Sequence, residues 1–480
     1  MVYMCAKCDF RTSNPHEMDN HSSIHKRKAE EPYDGLSQKS RRIAMDSGVM
    51  GHPKQVEVYE HGLFNAKEIL SSHKHEFRPT TNSGSVIEFD IKPLPGKLYD
   101  VKSMTLFFKM GIRKKKEGNW VDIETADLAK IGVCNNTPHA IWGSTTVKVD
   151  DTEIGESTGN SYPYISYLQN LLSAKSSVEE TLLKRRGFIK DIPRKFTSLE
   201  AGSPVKERAE NFKKSYVDFI IPIYNDIQTI EGNFLPPDTK MTVTLRRNSD
   251  DFVLIRAEGD GTDYKIVLED IHMKMFIMTP SPEALNRFYT RYRNKPLRLK
   301  YTQNVMKQYT VPNGNYDLTG HNLFFGENLP DQVFVVMQEQ EATNGSLRKN
   351  PFYFAHFELS SANLVVNSVS EPSNPYTFHN TNNNIEMYYE LLENTGTAPF
   401  EMDSINITPK EFRDGFFIIA WDRNPVKNNR VAPQQMEGGY MTIKMKTSEQ
   451  LVKNITVLAI GSYVGYLDFK NGKVLTENHF

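Results

Sequence analysis

The chain is dominated by short segments in which apolar and polar residues alternate with a period of two. In one of them, Ile87, Phe89 and Ile91 alternate with charged residues. Such alternation places apolar side chains on one face of a β-strand, so each strand must bury that face against a second sheet. Similar segments lie at 145–150, 241–246, 271–275 and 441–446. The sequence therefore predicts an all-β fold.

Turn-forming residues separate these segments. Examples are Pro-Pro-Asp at 236–238, Pro-Asn-Gly-Asn at 312–315 and Asn-Gly at 471–472. Short strands joined by such turns are typical of antiparallel sandwiches, whereas a parallel sheet needs a helix between successive strands. We therefore expect β-sandwiches with long loops.

Two distant parts of the chain share one order of elements. Residues 140–149 precede a helical pattern that Ser161 can cap, and residues 357–366 precede a second aromatic-rich helical pattern at 385–392. Internal repetition of this kind indicates two copies of one structural unit. We expect a first sandwich over residues 56–285 and a second over residues 286–480.

The N-terminal segment carries a metal-binding pattern. Cys5, Cys8, His21 and His25 have the spacing C-x2-C-x12-H-x3-H. This spacing places two thiolates on a hairpin turn and two imidazoles one helical turn apart, which closes a tetrahedral zinc site. The sequence predicts a small ββα zinc finger over residues 1–28 that binds one Zn²⁺.

The finger lacks the residues that are typical of sequence-specific DNA binding. The three positions that usually reach bases are occupied by Asn14, Glu17 and Asn20, so none of them carries the Arg or Lys that most often contacts guanine. A single finger also covers only about three base pairs. A structural role, or weak DNA contact through the finger and the basic linker, is therefore favoured over sequence-specific reading.

Two basic clusters lie at residues 26–28 and 39–42, on either side of a polar spacer, and we expect residues 29–55 to be a flexible linker. Their arrangement resembles a bipartite nuclear import signal, and the alternative is a solvated linker without that function. The basic residues are Lys26, Arg27, Lys28, Lys39, Arg41 and Arg42.

Charge and cysteine content exclude several protein classes. The 58 Lys and Arg residues balance 59 Asp and Glu residues, which excludes a uniformly basic nucleic-acid coat. The 3 cysteines cannot form a disulfide framework, and residues 1–10 lack the apolar run of a signal peptide. The longest apolar stretch, 455–467, falls short of the roughly 20 residues that span a bilayer. We expect a soluble, intracellular protein without a membrane segment.

Catalytic patterns are weak. Residues 155–159 match G-x-S-x-G, but a nucleophile elbow needs a parallel α/β sheet and a downstream acid and histidine, which the surrounding pattern does not provide. Phosphate-binding and dinucleotide-binding glycine motifs do not occur. The sequence predicts a protein that is not an enzyme and has no small-molecule substrate.

Three basic clusters lie within the sandwiches, at 113–116, 184–195 and 291–300. One interpretation is contact with phosphates or with acidic groups of another subunit. The favoured alternative is exposed loop charge balanced by neighbouring carboxylates.

An ordered series of segments carries a family resemblance. It includes residues 233–240 (NFLPPDTK), 322–326 (NLFFG), 349–357 (KNPFYFAHF), 388–392 (YYELL) and 414–422 (DGFFIIAWD). In this order the chain resembles the double jelly-roll major capsid proteins of Polinton/Maverick elements and the related adintoviruses, over about residues 51–475. The N-terminal finger departs from that family's pattern.

The resemblance implies two eight-stranded jelly rolls side by side, with three copies forming a pseudo-hexagonal capsomer. Many capsomers would then build an icosahedral shell around double-stranded DNA. The implied partners are further copies of the chain and a minor or vertex capsid protein, and the implied locations are the nucleus and the virion. No cofactor or reaction is implied for the shell body.

Aromatic loops are the expected contacts between subunits. Tyr376 and Phe378 lie in an Asn- and Pro-rich segment and suit a large permanent interface, although ordinary packing within a loop is an equal alternative. A different function, a nuclear zinc-finger regulator with a partner-binding β body, also stays open. The two functions differ in self-association, which a shell protein requires.

Overall fold

The computed structural model describes residues 3–4, 11–12, 64, 66–155, 159–173, 178–213, 216–293, 295–378, 385–395, 405–423, 438–470 and 473–476. The chain divides into two compact units, Met1–Gly48 and Val49–Phe480. In the first unit, β1 (Tyr3–Met4) pairs antiparallel with β2 (Arg11–Thr12).

The second unit begins with a first roll made of two main sheets. Sheet 1A has the order β11-β6-β15-β3, with β7 and β12 pairing to β6, and sheet 1B has the order β10-β9-β13-β5-β4. A separate two-stranded sheet, formed by β8 and β14, also belongs to this part of the chain. The strands are β3 (Ile69–Phe77), β4 (Thr81–Asn82), β5 (Val86–Ile91), β6 (Leu98–Lys116), β7 (Asn119–Asp122), β8 (Ile131–Val133), β9 (Trp142–Val149), β10 (Thr152–Ile154), β11 (Val217–Pro222), β12 (Phe234–Leu235), β13 (Met241–Arg247), β14 (Leu254–Arg256) and β15 (Tyr264–Pro280).

A second roll follows. Sheet 2A has the order β16-β23-β18-β21, with β24 pairing to β23, and sheet 2B has the order β17-β22-β19-β20. The strands are β16 (Leu297–Val311), β17 (Gly320–Gly326), β18 (Gln332–Glu339), β19 (Leu359–Val366), β20 (Val369–Thr377), β21 (Ile418–Asp422), β22 (Gly439–Thr447), β23 (Ile455–Lys470) and β24 (Lys473–Thr476).

The two rolls have the same topology. When their eight main strands are counted along the chain, leaving out the short additions, the first, eighth, third and sixth strands form sheets 1A and 2A. The second, seventh, fourth and fifth form sheets 1B and 2B. This order is that of a jelly roll, in which two antiparallel sheets face each other. The prediction of an all-β chain with two jelly rolls is therefore confirmed.

The alternating pattern builds the core as predicted. In β5, Ile87, Phe89 and Ile91 are buried, and the charged residues between them face outward. Phe89 lies opposite Val243 of β13, which in turn lies opposite Val147 of β9. Cross-strand apolar contacts of this kind stabilise the pairing of the strands within sheet 1B. The buried apolar residues of both rolls form one continuous cluster.

Helices occupy the loops. We name three of them: the first-roll helix (Ser161–Ser173), the connecting helix (Pro282–Tyr292) and the second-roll helix (Ile385–Asn394). Within the described part of the chain, no helix has the length and apolar content to cross a membrane. Shorter helical segments are Ala66–Glu68, Thr125–Ala129, Thr137–Ala140, Glu179–Leu183, Pro204–Glu210, Asp226–Thr229, Asp250–Val253, Gln340–Asn344 and Pro409–Arg413.

The connecting helix joins the rolls. Ser281 caps it by accepting a hydrogen bond from the Ala284 N–H (3.2 Å), and Pro282 stands at the first turn, where its missing N–H costs nothing. Phe288 of this helix stacks on Phe64, with ring centroids 5.6 Å apart. The boundary that the sequence places between residues 285 and 286 falls inside this helix, between the end of β15 and the start of β16.

Candidate functional site at the seam between the two rolls

The seam is the set of contacts between the first roll (residues 64–280) and the second roll (residues 297–476). Its aromatic centre is Phe352 of the second roll, which is fully buried among rings of the first roll. It stacks on Tyr167 with centroids 4.2 Å apart and an interplanar angle of 9°. Tyr164 and Phe252 meet the same ring edge-on at 6.0 and 6.2 Å. Rings in these geometries attract one another beyond the gain from burial.

A second aromatic contact lies nearby. Phe196 of the first roll packs on Tyr353 and Phe416 of the second, with centroids 5.0 and 5.1 Å away. Its ring presses on Gly415, where an added Cβ would lie 2.4 Å from the ring and the backbone φ is +140°. Only glycine satisfies both conditions, so Gly415 is required for this close approach.

The first roll also covers the edge of sheet 2A. The backbone N–H of Thr302 in β16 donates to Thr229 Oγ1 (2.7 Å), and the N–H of Asn304 donates to Asp226 Oδ1 (3.2 Å). The Lys300 carbonyl accepts from the Glu231 N–H (2.7 Å). These groups lie on the side of β16 away from β23, where no described strand pairs with it. The segment 226–231 thus satisfies backbone groups that an open sheet edge would leave exposed.

Two ion pairs tie a loop of the first roll to the second. Lys190 Nζ lies 2.9 Å from Glu411 Oε2 and 5.3 Å from the centre of the Phe416 ring. Arg194 donates to Asp414 Oδ1 from two nitrogens, at 2.7 and 3.1 Å. These two cations belong to a basic cluster for which contact with phosphates or another subunit was one interpretation. The structure pairs them within the subunit.

A buried ion pair holds that loop in place. Arg208 Nη2 lies 2.7 Å from Asp191 Oδ1, and both side chains are almost fully buried. Arg208 also donates to the carbonyls of Ile189 (2.6 Å) and Val133 (3.1 Å). Burial raises the pKa of Asp191, and the guanidinium opposes that rise. The pair fixes residues 189–191 and so positions Lys190 at the seam.

Asp226 lies at a polar cavity of about 60 Å³ where the rolls meet. Burial raises the pKa of its carboxyl group to about 7, and hydrogen bonds from Asn304 oppose the rise. A polar cavity of this size is large enough for ordered water. The remaining lining includes Thr145, Ser161, Tyr162, Gln169, Tyr224, Asn225, Gln228 and Thr229.

The carboxyl group of Asp226 should make stability depend on pH. Its folded pKa exceeds the unfolded value of about 4, so the folded state holds a proton that the unfolded state has lost between about pH 4 and pH 7. In this range its contribution to the free energy of unfolding should fall by up to about 1.4 kcal/mol per pH unit as the pH rises, and then level off. Asp226→Asn should remove this contribution. Urea unfolding of both proteins from pH 4.5 to 8 tests this, and parallel pH profiles would contradict it.

Tyr376 and Phe378 lie in the interior of the second roll. These two residues, for which a subunit interface and ordinary packing were equal alternatives, are only 7% and 5% exposed. Tyr376 stacks on Trp421 at 6.2 Å, and Phe378 meets Phe417 edge-on at 5.2 Å. Both rings pack within the core of the second roll, which is the alternative of ordinary packing. The sequence showed an aromatic segment without showing which side it faces.

The other predicted residues fall into two groups. The zinc ligands Cys5, Cys8, His21 and His25 and the basic residues of the import signal lie outside the described residues. Members of the basic clusters within the rolls pair locally instead. Arg113 bridges to Asp122 (3.1 Å), Lys114 to Asp127 (2.7 Å) and Arg298 to Asp468 (2.7 Å). For these residues the structure agrees with the interpretation that neighbouring carboxylates balance the basic charges.

No family model matches the chain. It is 20% identical over 307 residues to an uncharacterized protein of Caenorhabditis elegans, covering 63% of this chain and 71% of that protein. Its structure is similar to the structure of the Sputnik virophage, with a TM-score of 0.55 and 11% identity, covering 86% of this chain and 89% of that chain.

A second solved structure gives the same result. The PBCV-1 virus capsid matches with a TM-score of 0.51 and 10% identity, covering 85% of this chain and 97% of that chain. Both alignments extend across both rolls. The chain has a double jelly-roll fold. The two matched structures are those of a virophage and of a virus capsid.

Proposed function

We propose that the chain is a structural capsid protein that assembles as a homotrimer into pseudo-hexagonal capsomers of an icosahedral shell around double-stranded DNA. The observation that carries this proposal is the double jelly roll itself, which matches the PBCV-1 virus capsid over 97% of that chain. The ordered sequence segments that resemble Polinton/Maverick capsid proteins support the same lineage for this chain. No reaction and no small-molecule substrate belongs to the proposal.

The contacts at the seam suit a subunit that serves as a building block of a shell. Its stacked rings, ion pairs and covered strand edge join two rolls into one subunit, so that three subunits would present six similar rolls. The alternative from the sequence, a zinc-finger regulator, gains no support from the described fold.

The solution mass of the purified full-length chain tests the proposal. Light scattering during gel filtration should give three times the chain mass of 55.0 kDa, or 165 kDa, or a larger particle. The same preparation should contain one zinc ion per chain, and Cys5→Ser combined with Cys8→Ser should remove it while leaving the trimer mass unchanged. A stable monomer at high concentration would contradict the capsid proposal.

The N-terminal residues have a separate proposed role. Cys5, Cys8, His21 and His25 would hold the Zn²⁺, and the hairpin of β1 and β2 brackets the two cysteines in the chain. The basic residues from Lys26 to Arg42 would direct the chain to the nucleus and make weak contact with DNA. A minor or vertex capsid protein is the further partner proposed.

A further inference from the structure

The polar cavity beside Asp226 contains a carboxyl group without a charged partner. Asn304 of β16 lines the cavity from the second roll, and the other described wall residues belong to the first roll. None of the described wall residues is Lys, Arg or His, and Asp226 is the one acidic residue among them. Its pKa is shifted by burial and by hydrogen bonds from Asn304, with no contribution from a described cation. Charges inside proteins are normally paired, because an unpaired buried charge is costly.

The two oxygens of the Asp226 carboxyl group have different surroundings. Oδ1 accepts hydrogen bonds from the Asn304 N–H (3.2 Å) and from Asn304 Nδ2 (3.5 Å), whereas no described group donates to Oδ2. Oδ2 lies against Gly155, where an added Cβ would overlap it and the backbone φ is +81°. Glycine therefore leaves the space that Oδ2 occupies. The side chain keeps partial accessibility, so Oδ2 is available to an occupant of the cavity.

Two further polar atoms of the cavity wall are buried without a hydrogen-bond partner among the described residues. They are Thr145 Oγ1 and Asn225 Nδ2. Asn225 Oδ1 accepts from the Gln228 N–H (3.2 Å), which leaves Nδ2 as the donor of that side chain. Buried polar atoms are almost always satisfied by protein groups, ordered water or an ion. Here the unsatisfied set contains two oxygens, one of them charged, and a single donor.

We propose that this cavity binds one monovalent alkali-metal cation, with Asp226 Oδ2 and Thr145 Oγ1 as its protein ligands and water completing its coordination. Carboxylate and hydroxyl oxygens are hard ligands and suit hard cations. A volume of about 60 Å³ holds an ion with a few water molecules, since one water needs about 10–15 Å³. One of these waters can accept from Asn225 Nδ2.

The charge of the wall favours a single positive charge. One carboxylate neutralises a monovalent ion, whereas a divalent ion would leave a buried charge uncompensated. Within the described part of the chain, no group of three His, Cys, Asp or Glu side chains offers the further anionic ligands that a divalent ion would need. The inference concerns the folded subunit and does not depend on the proposed capsid function.

The cation must compete with a proton for Asp226. Burial raises the pKa of this carboxyl group to about 7, so a proton occupies it at pH 5 and leaves it at pH 8. The other titratable groups of the described wall are Tyr162 and Tyr224, and burial raises the pKa of both. Burial and the negative charge of Asp226 also raise the pKa of Tyr301 in β16. These phenols stay neutral in this range, so Asp226 alone among them controls binding.

Urea unfolding in matched salts tests the site in the full-length protein. At pH 8, KCl or NaCl at about 0.15 M should raise the folded-to-unfolded equilibrium constant about tenfold over choline chloride, as for an ion at about ten times its Kd. At pH 5 this ratio should fall below about twofold, because a proton occupies Asp226. Choline chloride of the same ionic strength controls for screening. The fall in stability with rising pH described above for Asp226 should therefore be largest in choline chloride.

Three variants connect the salt effect to the cavity. Asp226→Asn keeps the shape of the side chain and should abolish the difference between alkali salt and choline chloride at pH 8. Thr145→Val removes one ligand and should reduce the difference while Asp226 still titrates. The matched control is Asp150→Asn, at a partly buried carboxyl group whose pKa is also raised by burial but which lies outside this cavity. This control should keep the full difference.

The thallous ion, a heavy analogue of the alkali-metal cations, gives a direct readout. Anomalous scattering from crystals soaked in a thallous salt at pH 8 should show one ion in the cavity of the wild type and none in Asp226→Asn. If Asp226→Asn does not fold, Thr145→Val and the wild-type thallous site carry the test. Equal stabilisation by choline chloride, or an alkali-salt effect that persists in Asp226→Asn, would show that water alone fills the cavity. Stronger stabilisation by millimolar CaCl2 would contradict the monovalent charge.

Discussion

Phe352→Ala should lower the free energy of unfolding by roughly 3–5 kcal/mol and separate the unfolding of the two rolls. The ring is fully buried and touches Tyr164, Tyr167 and Phe252, which all belong to the other roll. Its removal leaves a cavity at the centre of the seam, so the coupling between the rolls should fall more than the stability of either roll. Calorimetry should show two transitions where the wild type shows one.

Phe324→Ala is the matched control. Phe324 is equally buried but packs within the second roll, edge-on to Tyr463 at 6.3 Å. Its loss should destabilise that roll by a similar amount without weakening the contact between rolls. If Phe352→Ala and Phe324→Ala give the same pattern of transitions, the aromatic centre of the seam does not couple the rolls.

Arg208→Met should also lower the free energy of unfolding by roughly 3–5 kcal/mol at neutral pH, because it leaves Asp191 buried without its cation. Burial already raises the pKa of Asp191, and loss of the guanidinium should raise it further. A carboxyl group with a raised folded pKa is favoured in its protonated form, so the stability lost by the variant should return as the pH falls toward about 4. Urea unfolding at pH 5 and pH 8 measures this difference.

The control for this prediction removes both charges. Arg208→Met combined with Asp191→Asn should lose less stability than Arg208→Met alone, and its loss should be nearly independent of pH. Equal losses for Arg208→Met at pH 5 and pH 8 would show that the buried carboxylate is not the source of the cost. Release of residues 189–191 should also loosen the nearby pair of Lys190 with Glu411.

The strands were predictable because their signal is local. The alternation at 241–246 predicts a strand, and the structure has one over Met241–Arg247. The helical pattern that Ser161 begins is observed as the first-roll helix. Each of these segments shows in its own residues which face must be buried. The order of strands and helix is repeated in the two halves of the chain, and this repeat predicted two sandwiches.

The seam was not predictable because its partners are distant in sequence. Lys190 and Glu411, or Tyr167 and Phe352, carry no mark that relates one to the other. The same limit applies to Tyr376 and Phe378, whose aromatic character suits a core and an interface equally well. A signal was present in sheet 2A, since the run Val333–Met337 is apolar without alternation and so indicates a strand buried on both faces.

The covered edge of β16 has a consequence for synthesis on the ribosome. Domains generally fold as the chain emerges, N-terminal part first. Residues 226–231, which satisfy the backbone of β16, are made before β16 itself. When β16 leaves the ribosome, the segment that covers its edge has therefore already been made. The order of the two rolls along the gene thus protects the second roll from pairing with neighbouring nascent chains on the same message.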